Sequence, residues 1–312
     1  MAMDNSKKLT LTIGIPAHNE ERNIANLCKN IIAQRNSFYT LKTILIVCDG
    51  CTDKTVQIVK ELAKKYKKIR LIDRSIRSGK ASALNLIYEK SNTDFLMTID
   101  ADVAFIGSRN IDLLISTMLN NPQLNLTGPR HIPAPSKTIF GNFARVSYQS
   151  FEDAFLKINQ GNNFYAVMTV EMMKKSFYKS FVFPQGTVSD QCFVYAKSIE
   201  KNKNGFQLVT EAKVMFGTAK TFQDWRILSA RSVTGDKADV LKHFGDWILD
   251  YYSMPKEIYF RSLVSWLFKE PFYLIGALIM NIYIRQFPYK KNVVKNGIWE
   301  LVSSSKELIY VN

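Results

Sequence analysis

Apolar positions change their period several times along the first hundred residues. Residues 9–15 (LTLTIGI) are rich in β-branched side chains and halt at Pro16, which reads as a strand. Ile24, Leu27, Cys28, Ile31 and Ile32 then recur at helical steps and predict a helix within 20–34. Residues 43–47 (TILIV) are apolar throughout, the pattern of a strand covered on both faces. Helices are predicted over 54–65 and 80–89, a short strand over 69–72, and a second fully apolar strand over 95–99 (FLMTI). Strands alternating with helices across short connections predict right-handed βαβ units on a parallel sheet, an α/β chain.

Beyond residue 102 the pattern loosens. A helix is predicted over 110–120, strand character over 124–127, an aromatic helix over 142–156, and mixed short signals from 161 to 216. No Gly/Ser linker cuts the chain, so residues 1–240 read as one domain. Residues 258–268 then put Phe260, Leu263, Val264, Leu267 and Phe268 on one helical face, and Pro271 suits the first turn of a nearly all-apolar helix over 272–284. That second run would be about 20 Å long, short of the roughly 30 Å hydrocarbon core. Residues 241–312 are therefore read as a helical region, either an interfacial anchor or a buried helical hairpin. The anchor is preferred, with Lys290, Lys291 and Lys295 beside it to meet anionic headgroups.

Composition narrows the partners. The 312 residues are 46% hydrophobic and 22% charged, which excludes collagen-like and wholly disordered chains. A net charge of +15 favours an anionic partner, whether nucleotide phosphates, nucleic acid or a membrane surface. Four cysteines in a chain of this length are too few for a disulfide framework and fit a reducing compartment. No apolar run follows MAMDNSKK, so a cytoplasmic start is expected.

The chemistry gathers at the carboxyl ends of the predicted strands, where open parallel sheets bind ligands. Pro16-Ala17-His18-Asn19-Glu20 follows the first strand, Asp49-Gly50-Cys51-Thr52-Asp53 the second, and Asp100-Ala101-Asp102 the fourth. Turn formation and helix capping account for Asp53 ahead of its helix. They do not account for Asp100 and Asp102, one residue apart at the end of a buried strand, which repel each other unless a cation joins them. Mg²⁺ or Mn²⁺ takes one or two carboxylates with phosphate oxygens and water. Gly79-Lys80 opens a helix whose N-terminus can hold an anion, but the upstream glycine of a P-loop is missing.

Taken in order and spacing, Pro16-Ala17-His18-Asn19-Glu20-Glu21, Asp49-Gly50-Cys51-Thr52-Asp53, Gly79-Lys80-Ala81-Ser82-Ala83-Leu84-Asn85 and Asp100-Ala101-Asp102 resemble the nucleotide-binding half of family 2 glycosyltransferases. The resemblance covers about 9–105, with weaker echoes to about 235, so 106–240 is expected to be the acceptor half. It implies a GT-A fold: a Rossmann-like, mostly parallel sheet flanked by helices, here with C-terminal amphipathic and apolar helices. It also implies a nucleotide-sugar donor, most often a UDP-sugar, and inversion at the anomeric carbon. By position, Pro16, Asn19 and Glu20 would line the nucleotide site, Asp49 contact the base, and Lys80 lie near base and ribose. Asp100 would be a ribose or metal-linked ligand and Asp102 the direct ligand of Mg²⁺ or Mn²⁺.

Inversion needs a base for the acceptor hydroxyl. Val188-Ser189-Asp190-Gln191, ahead of a helix predicted over 192–199, matches the family position, and Asp190 is preferred as that base over a plain helix cap. Gly161 and Asn162 are expected to line the acceptor or sugar pocket together with Trp225. The Gln-x-x-Arg-Trp motif of processive members is reduced to Arg231, which could grip the diphosphate, so single transfer is expected over polymer synthesis. Cys48-x-x-Cys51 reads as a structural Cys48 with an incidental Cys51, and His243 as a surface residue of a helix over 237–249.

The sequence therefore favours a metal-dependent glycosyltransferase acting on a glycan or lipid-linked hydroxyl, peripheral or monotopic at the inner face of the cell membrane. A nucleotidyltransferase would carry a Gly-rich, Arg-Lys-containing phosphate loop where Pro16–Glu20 stands. A nucleic-acid-binding protein would leave Asp49, Asp100 and Asp102 unexplained, so no nucleic-acid partner is expected.

Overall fold

The strand Phe95–Ile99 is buried at every residue, and its neighbours on either side set the centre of the molecule. The structure is a computed structural model that describes residues 8–231, 237–287 and 289, with two short strands near the C-terminus. In chain order β1 (Leu9–Ala17), α1 (Ile24–Ile32), β2 (Tyr39–Asp49), α2 (Thr55–Lys65), β3 (Ile69–Arg74), α3 (Lys80–Lys90) and β4 (Phe95–Ile99) alternate as the sequence predicts. Then follow β5 (Val103–Phe105), α4 (Asn110–Asn120), β6 (Leu126–Pro133), α5 (Ile139–Phe155), β7 (Val170–Lys174), the single turn α6 (Lys175–Tyr178), α7 (Asp190–Lys201) and β8 (Phe206–Phe216). The C-terminal part holds α8 (Phe222–Ala230), α9 (Lys237–Phe244), α10 (Lys256–Lys269) and α11 (Pro271–Gln286), then β9 (Val294–Lys295) and β10 (Ile298–Trp299).

Eight strands form one sheet in the order β3-β2-β1-β4-β7-β6-β8-β5. The first four are parallel, but β7 runs antiparallel to both β4 and β6, and β5 antiparallel to β8. β6 and β8 pair in parallel, so the sheet is mostly parallel, with antiparallel pairings where β7 enters between β4 and β6 and where β5 closes on β8. Strand alternation splits the core into two layers. Ile13, Ile15, Ile44 and Ile46 face α1, α2 and α4, whereas Leu45, Val47 and Leu96 face α3, α7 and α9. Pro129 and Pro133 lie within β6, where the register against β8 shifts between Pro129 and Arg130, the kind of irregularity that tolerates proline in a strand.

Helices α10 and α11 pack on α5 through both apolar and polar contacts. Ser262 Oγ donates to the Ser150 carbonyl (2.6 Å), Trp266 Nε1 to Asp153 (2.8 Å) and Asn281 Nδ2 to Ser147 Oγ (3.1 Å). Arg145 donates to both Glu270 oxygens at the corner between the two helices (3.0 and 2.5 Å). A Cβ at Gly276 would sit 2.3 Å from the Phe143 ring, so this glycine permits the close approach of α11 to α5. Among the described residues no helix is long and apolar enough to cross a membrane. Lys290 and Lys291 lie outside the described residues, and of Lys295 only the backbone is described.

Candidate active site

The ends of β1 and β2 are laced together by side chains. Asn19, at a positive φ of 55°, accepts from the Thr52 amide (2.8 Å) and donates to Thr52 Oγ1 (3.1 Å). The His18 ring bonds the Asp49 carbonyl (2.7 Å), and buried Glu20 accepts from Asn23 (3.1 Å). Asp53 accepts from the Thr55 amide (3.0 Å) and from the Glu21 amide (3.1 Å), doing the capping work its position foretold.

Asp49 holds the next loop. One carboxylate oxygen accepts from the Ser78 amide and the other from the Gly79 amide, each at 2.8 Å, and Arg74 Nη2 lies 2.7 Å from the same group. Gly50, at φ 63°, admits this loop, because a Cβ there would come within 2.6 Å of the Arg77 nitrogen. The Asp49 carboxylate is thus spent on shaping the turn into α3. Cys48 and Cys51 on either side are free thiols, and a hydrogen bond from Cys48 draws the Cys51 pKa down to about 7.

That turn delivers Lys80 to the centre. Its Nζ lies 2.7 Å from Asp100 Oδ1 at the end of β4 and 2.9 Å from Asp190 Oδ2 at the start of α7. Burial alone would lower the lysine's pKa, but the two carboxylates outweigh it and hold the ammonium above its ordinary value. Asp190 is pushed up by burial, with Lys80 opposing and Asp100 adding to the rise. Ser189 does not cap α7 through its side chain, and Asp190 faces Lys80 instead. The segment leading to it is fixed from two sides. Asp239 of α9 accepts from the Val188 and Ser189 amides (3.0 Å each), while Asn85 of α3 exchanges two hydrogen bonds with the Phe183 backbone (2.9 and 2.8 Å).

Below this triad lies an acid that the sequence reading did not single out. Glu171 on β7 is buried, accepts from Thr98 Oγ1 of β4 (3.0 Å) through one oxygen, and has no partner on the other. Burial, followed by the nearby Asp190, pushes its pKa well above the ordinary carboxyl value. Its signal in the sequence was a lone charge inside the apolar run Val170–Met173. Pro16, Lys80, Thr98, Asp100, Glu171 and Asp190 border a small cavity of about 10 Å³, the scale of a single water.

Other expected site residues lie elsewhere. Gly161 is a positive-φ position packed on Leu208, and Asn162 accepts from the Leu208 amide (2.8 Å), so both anchor the loop to β8. Trp225 is buried with Ala277, Met280 and Ile284 against α11. Arg231 follows the last turn of α8. His243 is not a surface residue: its ring packs edge-on to Phe193 and sits 3.5 Å from Asp239. Helix α9 also ends at Phe244, ahead of a 3₁₀ segment, rather than running on to 249.

Among the described residues no three His, Cys, Asp or Glu side chains cluster as a ready metal cage. Asp100 and Asp102, both half-buried just after β4, supply two carboxylates, a donor set that fits Mg²⁺ or Mn²⁺, which complete their shell with phosphate oxygens and water rather than with protein.

The glycosyl transferase family 2 model matches residues 12–181, more than half of the chain, and the chain belongs to that family. It is a glycosyltransferase. An uncharacterized glycosyltransferase of Haemophilus influenzae is 28% identical over 183 residues, 59% of this chain and 69% of that one. The teichoic acid poly(glycerol phosphate) polymerase of Staphylococcus epidermidis is 38% identical over 45% of this chain, and the β-monoglucosyldiacylglycerol synthase of a Nostoc species 36% identical over 30%. The matched segments span only 19% and 20% of those two proteins. A mannosyltransferase from Pyrobaculum calidifontis, solved with GDP-Man and Mn²⁺, superposes over 92% of this chain and 78% of its own, with a TM-score of 0.55 at 16% identity. The shared fold is GT-A.

Proposed function

We propose that the protein moves a single sugar from a nucleoside diphosphate sugar, with UDP-sugars the first to test, to a hydroxyl acceptor with inversion. The observation that carries this reading is Lys80, whose ammonium touches both Asp100 on the expected donor side and Asp190 on the expected acceptor side. We assign donor binding to residues 9–105, the acceptor side to 106–240, and 241–312 to an appended helical region.

In this reading Asp190 takes the proton of the acceptor hydroxyl as its oxygen bonds to the anomeric carbon. The bond from that carbon to the diphosphate breaks on the opposite face, and its electron pair leaves with the diphosphate. A carboxylate pushed up by burial is a better proton acceptor than an ordinary aspartate, and Lys80 keeps it oriented. Asp102, with Asp100, would hold the divalent cation, which when bound supplies Lewis-acid neutralisation of the leaving diphosphate. Asp49 acts on donor binding through the Arg74–Gly79 loop, and Arg231 is a candidate for the diphosphate. Gly161 and Asn162 would act on the acceptor side only through the loop they anchor to β8, and Trp225 only through the packing of α8 on α11. The names of the Staphylococcus and Nostoc relatives, a teichoic acid polymerase and a glycolipid synthase, support an acceptor that is lipid-linked or part of a cell-envelope glycan. Such an acceptor brings the enzyme to an anionic membrane surface.

Asp190→Ala is expected to lose transfer by at least about 100-fold, the ordinary contribution of a general base, while binding nucleoside diphosphate as the wild type does. Binding by calorimetry and turnover by diphosphate release separate the two effects. Full turnover in the variant removes Asp190 from the base role.

A further inference from the structure

We propose that the outer face of the α10–α11 hairpin lies in the headgroup and upper acyl region of an anionic leaflet, without crossing it. Each helix has two apolar faces and only one is used inside the protein. On α10, Ser262 and Trp266 turn to α5, whereas Phe260, Val264, Leu267 and Phe268 form a stripe at steps of four, three and one on the outside. On α11, Leu274, Ala277, Met280 and Ile284 are buried, whereas Phe272, Ile275, Ile279 and Ile282 run along the exposed side at steps of three and four. Phe268 and Phe272, 84% and 64% exposed, flank the corner where the two stripes meet. Scattered exposed apolar residues are ordinary, but two joined stripes of large ones mark a surface that something covers.

Charge selects the occupant. The basic residues of the hairpin, Lys256, Arg261, Lys269 and Arg285, are all exposed. Arg261 pairs with Glu257 (2.6 Å), Lys269 with Asp153 (3.1 Å), and Glu270 turns inward to Arg145, so both acids of the hairpin are matched and Lys256 and Arg285 remain as excess positive charge. Exposed Lys137 precedes Ile139 and Phe140, which extend the apolar surface from the start of α5, and Lys290 and Lys291 follow the hairpin in the sequence. A second copy of the chain seated on this face by a two-fold axis would set the same cations against each other. An anionic leaflet neutralises them while the phenylalanine and isoleucine side chains enter the acyl boundary. The lengths agree: 14 and 16 residues give helices of about 21 and 24 Å, enough to lie along a surface and too short to span the roughly 30 Å core. Polar anchors to α5 at Ser150, Asp153 and Arg145 keep the hairpin attached to the body of the enzyme, so insertion needs no opening of the fold. This inference deepens the proposed membrane setting but does not depend on the sugar or the base.

The test is flotation of the full chain with phosphatidylcholine vesicles, with and without phosphatidylglycerol, in the absence of any donor. The wild type is expected to float with the anionic vesicles, less so as salt is raised. Phe268→Ser/Phe272→Ser is expected to lower that partition by about tenfold or more. Val182→Ser, which removes an equally exposed apolar side chain elsewhere, is expected to leave it unchanged. Circular dichroism and calorimetric nucleotide binding check that each variant is folded. No flotation with anionic vesicles, flotation indifferent to the double substitution, or a stable dimer in sedimentation that the double substitution dissociates, would each overturn the proposal. Nucleotide binding without flotation would defeat the docking alone, and flotation without nucleotide binding would defeat the donor reading alone.

Discussion

Two buried carboxyl groups meet different surroundings. Asp49 accepts from two loop amides and pairs with the Arg74 guanidinium, which ties the turn into α3 to the end of β2. Removing it strands Arg74 and two loop amides, and Asp49→Ala is expected to cost about 3–5 kcal/mol in urea unfolding. Glu171 has one hydroxyl donor and an unpartnered second oxygen, and burial pushes its pKa up. A carboxyl with a raised folded pKa binds more protons folded than unfolded, so its contribution to stability falls as pH rises above the ordinary value of about 4.3. Glu171→Gln mimics the protonated form. Its Tm is expected to match the wild type near pH 4 and to exceed it increasingly toward pH 8, as thermal melts across that range would show. The motif residues at the ends of β1, β2 and β4 were legible because small polar and acidic types stand out against apolar strands. What they touch was not. Nothing in the linear order reveals that Asp49 spends its oxygens on the Ser78 and Gly79 amides, or that Lys80 joins Asp100 to Asp190, which lies 90 residues further along the chain.

At the scale of elements, local period was a good guide wherever an element buries one face or both against near neighbours in the chain. The strands and helices up to Ile99 fall where the pattern put them, as do α4 and the two C-terminal helices within a few residues. The missed strands have one cause, which is pairing between distant segments. β5 is three residues long and exists because Val103–Phe105 pairs with Val214–Phe216. β7 lies between β4 and β6, neither of which adjoins it in sequence, so its short apolar run carried no sign of direction or place. The hairpin posed the reverse difficulty. Its helices were readable, but a helix apolar on both sides does not disclose which side meets protein. Gly276 marks the protein side: Gly276→Ala would press a methyl group on Phe143 and is expected to destabilise the fold by about 1–3 kcal/mol, measured by chemical unfolding.

Viewed whole, the molecule divides its chemistry between two halves of one sheet. The parallel half, β3-β2-β1-β4, ends in the loops that carry Asp49, Lys80, Asp100 and Asp102, while β7 and α7 of the mixed half bring Glu171 and Asp190 to the same place. The +15 charge fits the proposed anionic nucleotide ligand and the proposed anionic membrane surface. Calorimetric titration of the full chain with UDP, GDP, dTDP and CMP, with and without Mn²⁺, tests this account most directly. It predicts metal-dependent binding of one of the nucleoside diphosphates, with UDP favoured, that is lost in Asp102→Ala. Failure to bind any of them, or binding that ignores both the metal and Asp102, would contradict it.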